Sequence, residues 1–359
     1  MAYTTIDDGS AYFQTKLYTG TGSSHSITND GNSDLQPDWV WIKSRSASDQ
    51  EHNLYDSSRG TGKRLISSSN AAEDSRDGVT AFNSDGFTTN YSDANTSSST
   101  YVAWQWKANG GTTSSNSSGN ITSTNQILTT SGFGILTYTG FGEAVKTLGH
   151  NLGSVPDMMI FKSRSSSGGW FVYHKDVGNG KYLNLHSSDA ATTDSNFLNN
   201  TTPTSSLITL GTSSAANSAS ATYVCYLFKS IQGYSKFGGY TGNGSTDGAF
   251  VYTGFKPAWI MIKRTDASKN WYMFNNKFSP FNVLGTTITA NNNDAQSSEG
   301  SGTYVDFLSN GFKWRQDFSH ANASGGEHIY MAFAEHPFVS SEGVPVTARW
   351  NFFFLVYYL

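Results

Sequence analysis

The chain has 359 residues, which is too long for one ordinary hydrophobic core, so its length predicts two or three domains. Its 23 basic and 27 acidic residues give a net charge of −4, and this argues against general nucleic-acid binding, which needs a basic surface. Charged residues make up only 14% of the chain and aromatic residues another 14%. Polar Ser, Thr, Asn and Gly fill the gap, a composition typical of an all-β protein with many short strands.

Three short phrases recur three times along the chain, always in the same order. The first, the opening turn, reads YTGTG at 18–22, YTGFG at 138–142 and YTGNG at 240–244. The second, the proline strand, reads PDWVWIKSRS at 37–46, PDMMIFKSRS at 156–165 and PAWIMIKRTD at 257–266. The third, the closing strand, reads TYVAWQWK at 100–107, TYVCYLFK at 222–229 and HIYMAFAE at 328–335. A period of about 100–120 residues is too long for a solenoid repeat, so each copy is expected to be a domain with its own core.

The phrases divide the chain into three predicted antiparallel β-sandwiches, at 1–110, 132–236 and 237–349. Residues 111–131 are rich in Gly, Ser, Thr and Asn, so we expect a flexible linker between copies one and two. Immunoglobulin and jelly-roll topologies remain open, but the immunoglobulin disulfide pattern is absent, which favours a jelly-roll or lectin-like sandwich.

The proline strand is apolar on both faces over its first half. Side chains alternate along a strand, so Trp39, Trp41 and Lys43 share one face while Val40 and Ile42 share the other. A strand of this kind is covered on both sides and should be central, beside the closing strand. The repeat anchors are the prolines and a tyrosine of each closing strand: Pro37, Pro156, Pro257, Tyr101, Tyr223 and Tyr330.

Turn signals distinguish the copies. Asp85-Gly86 and Asn310-Gly311 are strong tight-turn signals at matching places in copies one and three. Copy two lacks this element, so it is expected to diverge most. The glycines of the opening turn are followed by strand-like residues, which predicts a turn with positive φ and argues against a phosphate-binding loop.

The charged ends of the proline strands are the candidate binding residues. They are Lys43, Arg45, Lys162, Arg164, Lys263 and Arg264. One interpretation is an edge that binds an anionic glycan or an acidic neighbour. The other is that these residues end the strand where it meets water. Trp106, Trp170, Trp271 and Trp314 could stack on sugars if exposed, although core positions are expected for most of them.

No arrangement of residues indicates catalysis, a metal or a cofactor. Asp38 and Asp157 follow the strand proline, but copy three has Ala258 there, so a carboxylate that caps a turn is the better interpretation than half of a glycosidase pair. The eight histidines show no zinc-ligand spacing. Cys225, the single cysteine, is expected to be buried. We therefore expect a protein that is not an enzyme and uses no cofactor.

The last ten residues, WNFFFLVYYL at 350–359, are almost entirely apolar. This segment is too short to span a bilayer and would promote aggregation if exposed. We hypothesise that it forms an interface strand, with Trp350, Phe352, Phe353 and Phe354 at an oligomer contact.

The quoted segments also resemble a known family. TIDDGSAYFQTKLYTGTGSSHSIT, LQPDWVWIKSRS, HNLYDSSRGTGKRLISSSNAAED, FNSDGF and TYVAWQWKANGG are similar to virion-associated proteins of marine tailed bacteriophages, which carry a repeated β-sandwich module. The match is close over 10–110 and rests on the three phrases in copies two and three. Copy three departs at Ala258 and Thr265. The resemblance carries over no catalytic residue.

The resemblance implies a virion structural protein, such as a tail fibre or appendage that attaches to the host. A capsid decoration protein and a glycan-active depolymerase are the alternatives. Expected partners are other virion proteins, further copies of the chain in a homo-oligomer that could be a trimer, and a host surface glycan, without nucleic acid or membrane insertion. The N-terminus does not resemble a signal peptide, so assembly in the bacterial cytoplasm is expected. Recognition is expected in the variable segments 65–80, 184–206 and 285–303.

Overall fold

The computed structural model describes residues 2–90, 92–142, 144–298 and 304–346. Its strands form antiparallel sheets that pack face to face, so the predicted all-β sandwich fold is confirmed.

Copy one contains ten strands and helices after a short 3-10 turn at Gly9–Ala11. They are β1 Phe13–Thr19, β2 His25–Ile27, β3 Trp39–Ser44, β4 Asn53–Asp56, β5 Lys63–Arg64, β6 Asp74–Ser75, β7 Ala81–Asn83, β8 Gly86–Thr89, α1 Ser92–Asn95 and β9 Thr100–Trp106. The main sheet has the order β1-β9-β3-β4, the second sheet β2-β8-β7, and β5 pairs with β6.

Copy two continues the same plan with two additional strands at its start. Its elements are β10 Ser114–Asn116, β11 Ser123–Leu128, β12 Phe133–Thr139, β13 Lys146–Gly149, β14 Met158–Ser163, β15 Trp170–His174, β16 Lys181–Asn184, β17 Thr192–Thr193, β18 Leu207–Leu210, α2 Ser214–Asn217 and β19 Thr222–Phe228. The main sheet has the order β10-β11-β12-β19-β14-β15-β16-β17, and β13 pairs with β18 in the second sheet.

Copy three completes the chain. Its elements are β20 Ser235–Thr241, β21 Phe250–Tyr252, β22 Phe255–Arg264, β23 Tyr272–Asn275, β24 Ile288–Thr289, β25 Val305–Leu308, β26 Gly311–Trp314 and β27 Glu327–Pro337. The main sheet has the order β20-β27-β22-β23-β24, and the second sheet the order β21-β26-β25.

The proline strand lies next to the closing strand in every copy, as predicted. The pairs are β3 with β9, β14 with β19, and β22 with β27. In copies one and two the proline precedes the strand. In copy three β22 begins at Phe255, two residues before the proline, so Pro257 lies within the strand at an irregular register, where the missing N–H is tolerated.

Both faces of each main sheet are buried, but against different partners. In copy one, Val40 and Ile42 pack with Phe87 of the second sheet in an outer core. Trp39 and Trp41, on the opposite face, belong to a core built by all three copies, here called the shared core. Copies two and three have outer cores of their own on the same plan.

Aromatic pairs join the three copies within the shared core. The ring centroids of Trp39 and Tyr226 lie 4.4 Å apart, linking copies one and two. Trp106 and Trp259 lie 5.8 Å apart, linking one and three, and Phe228 and Phe333 lie 6.4 Å apart, linking two and three. The expectation of a separate core for each copy therefore holds only for the outer half. The inner apolar faces are buried by one another.

The predicted flexible linker is wrong. Residues 111–131 contain β10 and β11, and β11 pairs with β12 from Ser123↔Tyr138 to Leu128↔Phe133. Gln126 in this segment accepts hydrogen bonds from Ser57 and Ser58 of copy one, at 3.1 and 2.6 Å. Polar composition indicated mobility, but these polar side chains are used in pairing and packing.

The turn predictions agree with the backbone. Gly22, Gly142 and Gly244 of the opening turns have φ of 74°, 105° and 64°, and Gly86, the first residue of β8, has φ of 104°. Among the described residues, the second sheet has two strands in copy two and three strands in copies one and three. Copy two is therefore the divergent copy in its second sheet. The apolar tail at 350–359, with Trp350, Phe352, Phe353 and Phe354, lies outside the described residues.

An asparagine holds each opening turn, and this device was missed in the sequence. The side-chain oxygens of Asn95, Asn217 and Asn322 accept the backbone N–H groups of Thr21, Phe141 and Asn243, at 2.9, 2.8 and 3.0 Å. All three asparagines are buried. The signal was an Ala-Asn pair repeated at 94–95, 216–217 and 321–322, shortly before each closing strand.

Candidate functional site

The lysines of the proline strands do not face water. Lys43, Lys162 and Lys263 are each 0% exposed. Strand alternation places Lys43 on the same face as Trp39 and Trp41, which is the face turned toward the other copies. Both predictions for these three residues, a binding edge that faces water and a strand end that meets water, are therefore wrong. Neighbouring copies cover the place where the strand was expected to emerge.

Each lysine joins two copies through backbone carbonyls. Lys43 Nζ donates to Ser44 O at 3.0 Å and to Asn293 O of copy three at 3.2 Å. Lys162 Nζ donates to Ser163 O at 2.8 Å and to Asn70 O of copy one at 3.5 Å. Lys263 Nζ donates to Arg264 O at 2.7 Å and to Ser188 O of copy two at 3.2 Å.

Burial affects the protonation of these lysines. Removal from water disfavours the ammonium form and lowers the pKa of Lys43, Lys162 and Lys263 to about 8. At neutral pH each ammonium still donates to carbonyls at the seam, the interface between two copies. The three side chains act as fasteners between copies and are not available to an external anion.

A second set of contacts repeats at the start of the strand that follows each proline strand. Trp170 Nε1 donates to Ile66 O at 2.7 Å, and Trp271 Nε1 donates to Asn184 O at 2.8 Å. In copy one the position is taken by His52, whose Nε2 lies 2.9 Å from Thr289 O. The sequence showed an aromatic ring at this place in every copy but not that each ring reaches the neighbouring copy.

A third set is formed by the backbone alone. Glu73 N donates to Arg164 O at 2.9 Å, Ala191 N to Thr265 O at 2.8 Å, and Gln296 N to Arg45 O at 3.0 Å. These bonds run from copy one to two, from two to three, and from three back to one. Together with the lysine and aromatic contacts, they close the three copies into a ring.

The segments predicted to carry recognition contain these contacts. Asn70 and Glu73 lie in 65–80, Ser188 and Ala191 in 184–206, and Asn293 with Gln296 in 285–303, of which 299–303 are outside the described residues. Their sequences vary because the contacts are made largely by backbone groups, which place little demand on the side chain. Parts of these segments are therefore used at the seams, and the expectation that they carry recognition stays a prediction.

An ionic network strengthens the seam between copies one and two. Arg164 Nε and Nη2 donate to both carboxylate oxygens of Glu73, at 2.9 and 3.0 Å. Glu73 also accepts from the buried Arg59, which pairs with Asp56, and Tyr226 of copy two donates to Asp56 at 2.7 Å. Burial would raise the pKa of Glu73, but the two guanidinium groups outweigh it and hold the pKa below its usual value.

The other two predicted arginines have different partners. Arg45 Nε donates to Gln296 Oε1 of copy three at 2.6 Å, and its guanidinium carbon lies 5.1 Å from the centre of the Phe278 ring. Arg264 pairs with Asp266 within copy three, at 2.7 Å. The equivalent of Arg45 and Arg164 in copy three is Thr265, so the third seam has no such arginine.

The candidate catalytic carboxylates cap turns, as the preferred interpretation predicted. Asp38 accepts backbone N–H groups from Ala108, Gly110 and Gly111 at 2.7–2.9 Å. Asp157 accepts Ser230 N at 2.7 Å. Burial would raise the pKa of Asp157, but the hydrogen bond from Ser230 and the nearby lysine charges lower it overall. Both carboxylates are therefore used by the fold.

Other predicted residues are also internal. Cys225 is buried, and burial raises the pKa of its thiol. Trp106, Trp170, Trp271 and Trp314 are at most 1% exposed, so core positions are confirmed for all four. The hydroxyls of Tyr101 and Tyr223 donate to Ser92 O and Ser214 O at 3.2 and 2.8 Å, which fixes the single-turn helices α1 and α2. The predicted anchor Tyr330 is wrong by two residues, because His328 lies opposite Arg264 as Tyr101 lies opposite Ser44 and Tyr223 opposite Ser163. Tyr330 itself is buried in the outer core of copy three.

The described ranges contain no group of three His, Cys, Asp or Glu side chains placed to hold a metal ion. Over the same ranges, no helix has the length and apolar character needed to cross a membrane.

Two of the cavities that open to the surface adjoin copy three beside the 276–284 segment, and neither is lined by the capped carboxylates Asp38 and Asp157. One, of about 350 Å³, lies between copies one and three and is lined in part by Phe13 and Thr15. The other, of about 580 Å³, is lined in part by Phe281 and Phe307. Asn276, Pro280, Glu335 and His336 line both, so the two cavities adjoin each other.

Comparison with known protein families gives one result that spans the whole ring. Residues 8–337 match the family described as Domain of unknown function (DUF7483). The chain belongs to this family. The matched region includes strands of all three copies. No match to a curated protein was found.

Proposed function

We propose that the protein is a structural component of a bacteriophage virion. It would be displayed on the particle as part of a tail fibre or appendage and contribute to host attachment by non-catalytic binding of a cell-surface glycan or protein. The observation that carries this proposal is the closed ring of three copies, in which lysine, aromatic and backbone contacts recur at every seam. Such a body is suited to holding a surface in a fixed orientation on a larger assembly.

The placement of the charged groups supports a binding role over a catalytic one. Asp38 and Asp157 are occupied with backbone N–H groups, and Glu73 is paired with two arginines. A glycosidase needs two carboxyl groups that face each other across a substrate cleft. The resemblance of the repeated phrases to virion-associated phage proteins supports the same choice.

One observation favours capsid decoration as the second candidate. Backbone contacts run from copy one to two, from two to three and from three back to one, so the three copies are arranged cyclically within one chain. A body of this kind fits a local threefold position of a shell, where each copy would meet an equivalent neighbour. A homo-oligomer would then not be needed to supply threefold contacts.

The test is the position and copy number of the protein on the intact particle, determined by cryo-electron microscopy. Density at the tail tip or on fibres is expected for an attachment protein. Density distributed over the capsid would instead support the second candidate, a capsid decoration protein. Fluorescently labelled protein should also bind host cells. Release of reducing ends from host polysaccharide by the purified protein would instead establish a depolymerase.

A further inference from the structure

The main sheet of copy one lacks a strand that is present in copy two. Thr15 of β1 and Ile135 of β12 are equivalent, since each lies opposite the same position of its closing strand. In copy two, β11 pairs with the outer edge of β12, and β10 lies beyond it. Among the described residues β1 has no such neighbour, so it is the edge strand of its sheet.

The outer edge of β1 has unused backbone groups. Tyr12 O accepts Lys107 N from the end of the closing strand at 2.9 Å, and the backbone groups of successive strand residues alternate in direction. Those of Phe13, Thr15 and Leu17 therefore point away from the closing strand, and within the described ranges they make no hydrogen bond. Backbone groups in a folded protein are nearly always paired, so this edge is expected to have a partner.

The equivalent edge of copy three has partners within the chain. Phe237 of β20 takes the place of Thr15, and its backbone N–H donates to Ser230 Oγ at 3.2 Å. Asp176 of copy two accepts a hydrogen bond from the backbone of Gly239, two residues further along β20. Of the three equivalent edges in the described part of the chain, the edge of copy one is therefore the open one.

The cavity of about 350 Å³ between copies one and three runs beside the edge of β1. Phe13, Gln14 and Thr15 all line it. Side chains of consecutive strand residues point to opposite faces, so a cavity that all three line adjoins the backbone edge between those faces. Its other side is formed in part by Asn276 of copy three.

Between copies two and one the same place is filled by the chain itself. Gln126 of β11 is hydrogen-bonded to Ser57 of copy one. Asn276 is the equivalent of Ser57 in copy three. The backbone N–H of each donates, at 2.9 Å, to the residue that follows the strand proline, which is Asp38 or Ala258. The cavity beside β1 is therefore the place that β11 occupies in copy two.

The chain leads to this place. Val346, the last described residue, lines the adjoining cavity of about 580 Å³, as does Phe281. Phe281 is 74% exposed and Val346 is 37% exposed, so apolar surface is open here. Only residues 347–349 separate Val346 from the apolar tail at 350–359, and three residues span at most roughly 10 Å. The tail therefore begins close to both cavities.

We propose that the apolar tail, residues 350–359, folds back onto its own chain and occupies the two adjoining cavities. Its aromatic side chains pack against Phe281, and its backbone pairs with the outer edge of β1. Phe, Tyr and Val are residues that favour strands, and addition of a strand to an open sheet edge is a common mode of docking. The strand hypothesised from the sequence then serves its own chain and not an oligomer contact. This inference does not depend on the proposed function.

A photo-cross-link in the full-length protein tests the contact. A benzophenone amino acid replaces Phe281, and mass spectrometry after irradiation and proteolysis identifies the cross-linked peptides. An equal mixture of isotope-labelled and unlabelled protein shows whether the two peptides come from one chain. The same replacement at Phe141 is the matched control, because Phe141 is also an exposed aromatic, 57% exposed, but lies in copy two.

We expect the probe at Phe281 to cross-link to a peptide from 350–359 with a single isotope composition, and the probe at Phe141 to give no such product. Absence of the product from Phe281, or an equal yield from Phe141, would overturn the proposal. Cross-linked peptides of mixed isotope composition would also overturn it, because the tail would then belong to a second copy.

Hydrogen exchange tests the pairing with β1 by comparing the full chain with a chain that ends at Arg349. The amides of Thr15 and Leu17 should exchange at least about tenfold faster without the tail, because their partners are lost. The amides of Gln14 and Lys16 point to the closing strand and should keep their rates. Equal protection of Thr15 and Leu17 in both chains would contradict the pairing. The cross-link, made in the full chain, decides the question even if the shortened chain fails to fold.

Discussion

The shared core and the three outer cores differ in what it takes to bury them. Each outer core draws on a single copy, as when Val40 and Ile42 pack against Phe87 of the same copy. The shared core takes strands from all three copies and contains seven of the nine tryptophans of the chain. In copy one a single strand, β3, contributes side chains to both the outer core and the shared core. Each copy can therefore assemble its outer half alone, whereas its inner half is buried only when the ring closes.

Substitution of Trp39 should give the largest effect, because its ring stacks on Trp106 at 4.5 Å and on Tyr226 of copy two at 4.4 Å. Trp39→Ala is expected to destabilise the protein by about 3–5 kcal/mol. Hydrogen exchange should then show lost protection in all three copies together. Val40→Ala, on the adjacent outward face, is the control and should reduce protection first in copy one. Loss confined to copy one in both variants would mean that the shared core does not couple the copies.

Glu73→Gln should have the next largest effect, because it leaves the buried Arg59 and the seam arginine Arg164 without their shared carboxylate. The expected loss is about 3 kcal/mol at neutral pH, measured by chemical denaturation. Since the pKa of Glu73 is lowered in the folded protein, its contribution is present above the unfolded pKa and is lost as pH falls through the folded value. The variant should therefore lose less stability than wild type on acidification. Glu342→Gln, an exposed site, should behave as wild type.

Lys162→Met tests the buried lysines through alkaline pH. The folded pKa of Lys162 is about 8 against 10.5 when unfolded, so the folded state releases its proton first and wild type gains stability between these values. The difference in unfolding free energy, wild type minus variant, should grow by up to about 3 kcal/mol over that window. The same titration of the exposed Lys181→Met should show no such growth. A constant difference for Lys162→Met would mean that the ammonium is solvated.

Asn95→Ala should have the smallest effect of the four, because it removes a buried side chain that holds only the opening turn of copy one. We expect a loss of about 1–2 kcal/mol, with faster hydrogen exchange at Thr21 and little change in copies two and three. Exchange that rises equally in all three copies would contradict a local role.

Much of each copy could be predicted from its residues. Apolar positions on both faces of the proline strand indicated double burial, and the Asp85-Gly86 pair indicated a tight turn. What covers the second face could not be predicted, because strand periodicity identifies a buried face without naming its partner. The lysines were misplaced for this reason: a charge at the end of a strand normally reaches water, but here a neighbouring copy supplies the carbonyls.

Composition misled at the predicted linker. The polar residues of 111–131 suggested mobility, yet the register of β11 and β12 and the contacts of Gln126 with copy one require an ordered segment.

Differential scanning calorimetry of the intact protein tests most directly whether the ring is one unit. If the shared core couples the copies, heating should give a single transition in which the van't Hoff and calorimetric enthalpies are equal. Three transitions, or a van't Hoff enthalpy near one third of the calorimetric value, would contradict the account and return the protein to three independent sandwiches.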